Sequence, residues 1–495
     1  LGAGAFLLCI VTPLFAQQVD IKSTGWIRVR YRDWNNFLMD DNLPVQGQVG
    51  AQAAQAARNR HYFDTRIRTG VTANIEPGLK GVIEIERTDD FGVHSAFNGN
   101  PSPSNTTALG TPSNTDSIYF RQAWVDWAIP GTPIHIVGGR MLYTVGGSIV
   151  FSGVDNGVDG IQVYSQLGPG ILTGYYFKPQ NGDTVTGTAD RRFANNDFDM
   201  LGGSYKFEWS ARNGVELYGL VSLDKTRAKT LAIVGTPGIC GAVPAGTDCA
   251  QTQEYYIGAN FFGVQGPFTY RLEGAYEGGT ARKNVNANAA LGTSAGDIDR
   301  SAGMVVGGVS YALVPELALN LDGGWASGDD SLDNTYSNFE GIYGFFQPTL
   351  LFAEGNPFGT TVNAQFGQNT TNRAIFGTTM GTADIDLSAA MTTDNNGNRF
   401  APGMFYAKPG VKWVPVKQLT VNGDVGLLWA AVAPGGVDSY IGTEVDLKAA
   451  WQVYKNLVVN TYFAYMFAGE FFDRPVANAN VTDPWFARVE FIFTF

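Results

Sequence analysis

The chain ends in PWFARVEFIFTF (484–495), with Trp485, Ala487, Val489, Phe491, Phe493 and Phe495 at every second position and Arg488 and Glu490 between them. A period of two sends alternate side chains to opposite faces of a strand. One face is therefore apolar and aromatic, while the other carries charge of both signs. In a soluble sandwich the apolar face would meet a second sheet; in a membrane barrel it would meet lipid. The rest of the chain decides between the two.

Of 495 residues, 44% are hydrophobic and 16% charged. After the opening segment no apolar run approaches the roughly 18 to 20 residues that a membrane helix needs. A transmembrane barrel escapes a hydropathy scan because only alternate residues face lipid. The 62 glycines and 13% aromatics suit such strands, which need tight turns and aromatic interface rings. The opening LGAGAFLLCIVTPLFAQQ (1–18) is an apolar core followed by small residues. It reads as a secretory signal peptide over 1–16, truncated at its start and cut after Ala16, with a barrel domain over 17–495. Cys9 lacks the small residues of a lipoprotein site before it. Cys240 and Cys249 bracket GICGAVPAGTDCA (238–250) and are expected to form a local disulfide in an exported protein. A net charge of −12, from 45 acids against 33 bases, argues against nucleic acid as a partner.

Short breaks rich in Gly and Pro recur along the chain: EPGLK (76–80), IPGTP (129–133), LGPG (167–170), SARNG (210–214), VQGP (264–267), LVPE (313–316), VPVK (414–417) and VYKN (453–456). Alternating runs flank each break, which is the pattern of a hairpin. Between the hairpins lie much longer polar segments, such as 35–59, 92–116, 179–196, 226–252 and 278–297. Short turns on one side and long loops on the other predict an all-β, antiparallel up-and-down transmembrane barrel with periplasmic turns and extracellular loops. The runs number about 18 strands: one before the first long loop, eight pairs and a closing strand. The count becomes about 20 if TTVNAQFGQ (360–368) and TADIDLSAAM (382–391), within the long segment 328–401, also pair. Trp325 and Trp429 fall at the outer ends of strands running outward, and Trp209, Trp413 and Trp451 at the inner ends of strands running back. All five share phase with the apolar face, as girdles at two lipid boundaries require.

With apolar positions on lipid, the intervening polar positions line the lumen. The first strand then offers Arg28, Arg30 and Arg32, the second Asp64, Arg66 and Arg68, the third Glu84 and Glu86, and the closing strand Arg488 and Glu490. Arg140, Arg271 and Glu273 are further expected pore-lining residues, and Glu216, Glu277, Asp424, Glu444, Asp446, Lys412 and Lys448 share inward phases. Two like charges about 6 Å apart repel by roughly 0.7 kcal/mol in water and about 3 at an effective dielectric of 20, so the arginines must be wetted or matched. Two readings stand side by side: a salt-bridge ladder that stiffens the wall, and an arginine sector that guides anions across a transverse field. TVGGSIVFSGVDNG (144–157) is either an inward constriction or a surface loop.

No catalytic site is expected. His61, His94 and His135 are scattered, no nucleophile elbow occurs, and no spacing suits a metal or a covalent haem, so no cofactor is expected. Asp329, Asp330 and Asp333, or Asp394, could at most bind calcium, and such loops are more often solvated.

Three stretches resemble the alginate-export family of outer-membrane barrels: RQAWVDWAIPGTPIHIVGGRM from Arg121, DGGWASGDD from Asp322, and IGTEVDLKAAWQVYKNLVVNTYFAYMFAGEFF from Ile441. The resemblance implies an outer-membrane barrel of about 18 strands, and an arginine-lined pore for which Arg28, Arg30, Arg66, Arg68, Arg140 and Arg488 are the candidates by position. The usual Gln after Gly-Arg is replaced by Met141. Three functions follow as expectations: passive diffusion of small hydrophilic solutes, whether or not anionic; export of an acidic polysaccharide; or a non-conducting structural or adhesive barrel. The expected location is the bacterial outer membrane. Expected partners are its lipid, the barrel-assembly machinery through the strand ending at Phe495, and small polar solutes or an anionic oligosaccharide. Monomer and homotrimer both stay open. Strand one follows the signal cut almost directly, which leaves no room for an N-terminal plug domain.

Overall fold

Alternating apolar and polar residues suit the two sides of a sheet, and the alternating runs of this chain form strands. The computed structural model describes residues 19–35, 60–75, 78–91, 118–154, 157–180, 198–224, 252–285, 296–329, 335–339, 341–342, 348–351, 392–393, 399–400, 403–433, 438–472 and 483–495. The first nine wall strands are β1 (Val19–Asn35), β2 (Arg60–Ile75), β3 (Leu79–Phe91), β4 (Ile118–Ala128), β5 (Ile134–Met141), β6 (Val158–Leu167), β7 (Gly170–Gln180), β8 (Phe198–Ser210) and β9 (Asn213–Asp224). The others are β10 (Thr252–Gln265), β11 (Phe268–Val285), β12 (Gly296–Val314), β13 (Leu317–Ala326), β14 (Met404–Val416), β15 (Leu419–Trp429), β16 (Tyr440–Tyr454), β17 (Leu457–Ala468) and β18 (Trp485–Thr494).

The 19-stranded sheet includes one two-residue strand, Thr335–Tyr336, that lies parallel to β12. The other 18 strands each pair antiparallel with both neighbours, and β1 closes on β18 from Trp26↔Thr494 to Asn35↔Trp485. The result is a closed barrel with no open edge. The strand ends that flank the eight short breaks read from the sequence all lie at one end of the barrel, here the turn end, and those that flank the long connections all lie at the other, the loop end. The two segments that would have raised the count, 360–368 and 382–391, lie outside the described residues, as do residues 1–16, read above as a signal peptide, and Cys240 and Cys249.

Large apolar side chains cover the outside, among them Ile21, Ile83, Leu201, Ile257, Leu321 and Leu447. Aromatic rings gather at both margins of this belt. Near the turn end Trp209 lies 5.7 Å from Phe261, and Phe268 lies 4.7 Å from Tyr311. Near the loop end Phe405 lies 5.5 Å from Trp429, and Tyr31 lies 4.9 Å from Phe63. Trp325, Trp413 and Trp451 are also exposed. An apolar band between two aromatic rings is the surface of a barrel that spans a membrane.

The core lies inside the barrel and off centre. Its buried apolar residues come from β5 to β18, for example Phe177, Met200, Met304, Leu428 and Met466, and from inward segments that carry Val150, Phe151, Phe339 and Leu351. None of the described residues of β1 to β4 belongs to it. Most side chains of β1 to β4 that point inward are charged or polar; Trp26, Val82 and Trp124 are apolar exceptions, and Trp124 packs against the edge of the core.

Candidate functional site

On β1, Ile27, Val29 and Tyr31 turn outward, so Arg28, Arg30 and Arg32 turn inward. Register then sets their partners. Arg30 lies between Asp64 on β2 and Glu490 on β18, Arg28 lies opposite Arg66, and Arg32 lies opposite Arg488. Asp64, 1% exposed, receives Arg30 Nε at 2.7 Å and Arg32 Nε at 3.0 Å, with Arg28 Nη2 at 3.7 Å. On β3, Glu86 holds Arg66 Nε at 3.1 Å and Arg68, and accepts the Tyr119 hydroxyl at 2.6 Å. Glu84 pairs with Arg121 Nη1 at 2.5 Å. At the seam, Glu490 lies 3.8 Å from Arg28 Nε and accepts Asn460 Nδ2 at 3.0 Å, while the Arg488 guanidinium stacks 3.7 Å over the Tyr462 ring. Arg68 lies 4.8 Å over Trp26.

Among the described side chains of β18, β1, β2, β3 and the loop-end half of β4, seven guanidiniums (Arg28, Arg30, Arg32, Arg66, Arg68, Arg121 and Arg488) face four carboxylates (Asp64, Glu84, Glu86 and Glu490). The ion-pair ladder therefore exists, and it extends one strand further than the sequence suggested. It also leaves three positive charges in excess. Arg28, Arg30, Arg66 and Arg68 keep between 11% and 17% of their side-chain surface exposed, on the lumen side.

Arg140 departs from expectation. It stands in register with Ala123 and Asp159, on the outward face of Ile136 and Ile161, and the inward positions of β5 are His135, Val137 and Met141. Its Nε lies 2.8 Å from Asp159 and its Nη1 donates to the Phe120 carbonyl at 3.4 Å. The strand holds its register from Ile136 through Gly138, so two steps of alternation return Arg140 to the outer face. Arg271 does point inward and meets Asp322 at 3.1 Å.

The described part of 144–157, residues 144–154 and 157, includes an inward fold. Thr144–Val145 pairs with Phe151–Ser152 in a small hairpin, stacked through Phe151 on Phe177 at a centroid distance of 6.3 Å. Its tip reaches the wall opposite the arginines, where Gly146 N–H bonds Glu216 and Gly147 N–H bonds Glu273. A Cβ on Gly147 would fall 2.1 Å from a Glu273 oxygen, so a larger residue there would have to displace the Glu273 carboxylate or the hairpin tip. Glu273 is further held by the Tyr218 hydroxyl at 2.9 Å.

A second segment comes from within 328–401. The Asn338 carbonyl accepts Arg300 Nη1 at 2.9 Å, and Arg300 also meets Glu254 at 3.1 Å and Glu277 at 3.3 Å. Further along, Thr349 Oγ1 donates to Glu444 at 2.5 Å, Leu351 N–H to Glu444 at 2.6 Å and Leu350 N–H to Asp446 at 3.1 Å. The two segments touch, since a Cβ on Gly341 would fall 2.4 Å from the Ile149 carbonyl oxygen. Several acids of inward phase thus hold inward segments in place.

Sequence reasoning missed Arg121 and Arg300. For Arg121 a signal existed: the apolar outward phase runs on even numbers at Ile118 and Phe120 but on odd numbers at Val125 and Trp127. His135 lies 3.0 Å from Asp126 and stacks on Tyr164 near the turn end, apart from the arginine sector. Among the described residues no group of three or more His, Cys, Asp or Glu could hold a metal ion. Asp329 is described; Asp330, Asp333 and Asp394 lie outside the described residues.

No family model matches the chain, the alginate-export family's included, and no curated protein matches it. That resemblance rests on the three sequence stretches alone. Solved structures similar to this one include OccK9 (OpdG) of Pseudomonas aeruginosa, at 13% identity and a TM-score of 0.49, covering 96% of this chain and 98% of that one. A BenF-like porin from Pseudomonas fluorescens Pf-5 is 12% identical, with a TM-score of 0.48 and coverage of 96% and 99%. OccK2 (OpdF) of Pseudomonas aeruginosa, solved in complex with glucuronate, is similar at 12% identity and a TM-score of 0.47, covering 96% of this chain and 98% of that one.

Proposed function

We propose that this protein is an outer-membrane channel through which small hydrophilic anions diffuse, guided along the sector formed by β18 and β1 to β4. The observation that carries this reading is the excess of guanidiniums on that sector, set across the barrel from a wall that bears Glu216 and Glu273 on β9 and β11. In a ring of 18 strands, β10 lies opposite β1. Positive charge on one side and carboxylates on the other produce a transverse field, which draws an anion to the arginine side. The paired carboxylates lower the self-repulsion of the arginines and hold them at fixed spacing, so a solute anion meets a preorganised surface. The two inward segments narrow the lumen, which favours small solutes over an extended polymer chain.

The test is a planar-bilayer recording of the purified barrel in a salt gradient. The wild type is expected to conduct and to prefer anions. Reversal of Arg28, Arg30, Arg66 and Arg68 to Glu is expected to invert that preference. An unchanged reversal potential would leave the arginines as a structural ladder only. Block by uronate oligomers would instead favour polysaccharide export, and complete absence of conductance would favour a structural or adhesive barrel.

A further inference from the structure

Strands β3 and β4 change register between Glu84↔Gln122 and Ile85↔Phe120, so Arg121 is the inserted residue of a β-bulge. A bulge bends its strand and re-aims a side chain. Here the Arg121 side chain, 7% exposed, is brought among three acceptors. Nη1 lies 2.5 Å from Glu84, Nε lies 3.8 Å from Glu86, and Nη2 donates to the Val154 carbonyl. Glu84 and Glu86 belong to the arginine sector. Val154 closes the return limb of the inward hairpin.

The limb is also fitted to the bulge behind it. A Cβ at Gly157, whose φ is +69°, would fall 2.3 Å from the Arg121 carbonyl oxygen and 2.9 Å from Arg140 Cγ. Arg140, from the outer face, donates to the Phe120 carbonyl at 3.4 Å, on the residue before the insertion. The hairpin is thus held at its tip by Glu216 and Glu273 and at its return limb by Arg121, with the arginine wall beside that second attachment.

We propose that Arg121 is a positioning residue for the constriction. One guanidinium ties the ladder carboxylates to the hairpin backbone and so sets the gap between the hairpin and the anion-guiding wall. The assignment rests on the channel reading above. Its chemistry is specific to arginine. A planar fork serves a carboxylate and a carbonyl at fixed angles, whereas lysine is a compact point charge that supplies the charge without the fork.

The experiment compares wild type, Arg121→Lys and Arg121→Ala in single-channel recordings, with heat-modifiable migration as the check that each barrel is folded. Arg121→Ala is expected to raise conductance roughly twofold or more, to add open-channel noise and to weaken anion preference. Arg121→Lys is expected to keep the anion preference but to show the conductance and noise of the alanine variant. A lysine variant identical to wild type in every respect would reduce Arg121 to a charge, and an alanine variant identical to wild type would remove its role. Should Arg121→Ala fail to assemble, Arg121→Gln takes its place. A second readout does not depend on conduction: Ser152→Cys, on the hairpin, is expected to react roughly tenfold faster with a membrane-impermeant maleimide when Arg121 is alanine or glutamine. Equal rates would overturn the assignment even if the wild type does not conduct. A silent wild type with accelerated labelling would overturn the channel reading and leave the anchoring intact.

Discussion

Gly25 and Phe495 show how much one residue can decide at the seam. Gly25 N–H donates to the Phe495 carbonyl at 3.0 Å and the Gly25 carbonyl accepts Phe495 N–H at 3.0 Å, so Phe495 forms a rung of the closing seam. A Cβ on Gly25 would fall 2.5 Å from the Phe495 ring, which lies over the glycine. Gly25→Val is therefore expected to destabilise the folded barrel by about 1–3 kcal/mol, the cost of overpacking. Phe495→Leu in the same chain should recover part of that loss, measured as a double-mutant cycle of urea unfolding in detergent; simple additivity would separate the two residues. Glu86 is the second decisive residue. It is 1% exposed and holds Arg66, Arg68 and Tyr119, so Glu86→Ala leaves buried guanidiniums short of a counter-charge. A loss of about 3–5 kcal/mol is expected in the same assay, against about 1 for Tyr119→Phe, which removes a single hydrogen bond.

At the scale of elements, the inward segments rest on wall carboxylates through backbone amides, as helix caps and turns do. Glu444 and Asp446 neighbour each other on the inner face of β16 and between them receive Thr349, Leu350 and Leu351. Glu444→Ala removes two of these three bonds, and the Leu350 and Leu351 amides are expected to exchange with deuterium roughly a hundredfold faster. Unchanged exchange would mean that apolar packing alone holds the segment. Gly147→Val should push the hairpin tip away from Glu273, to be read as a change in single-channel conductance with the barrel still folded. An inward fold was one of the two readings open for 144–157, and none was made for 338–351. The anchors of both escaped the sequence, because an acid on an inward phase looks the same there whether it faces water or caps a distant loop.

On the scale of the whole molecule, the wall separates two sets of tryptophans. Trp209, Trp325, Trp413 and Trp451 stand exposed on the apolar outside, while Trp26 lies in the lumen beside Arg28 and Arg68. Single-tryptophan variants in bilayers with brominated acyl chains are expected to show strong quenching for the outer set and little for Trp26. Aqueous iodide should show the reverse, and lipid quenching of Trp26 equal to that of Trp413 would contradict the assignment of faces. The core gathers on β5 to β18 and leaves β1 to β4 polar, so any passage runs off axis, along the arginines.

The order of turns, the alternation of strands and the inward arginines of β1 and β2 were legible in the chain because a two-residue period is a local property. Each hairpin needs only its own residues to declare which face is which. Three features depended on the tertiary structure for a physical reason in each case. The bulge at Arg121 shifts the phase of one strand against its neighbour, and the shift has meaning only against β3. Arg140, expected in the lumen, was carried by uninterrupted register to the outer face, where Asp159 and the Phe120 carbonyl receive it. The inward segments find their acceptors on β9, β11 and β16 and a donor, Arg300, on β12, all far along the chain, and only closure of β1 on β18 sets those strands around one lumen.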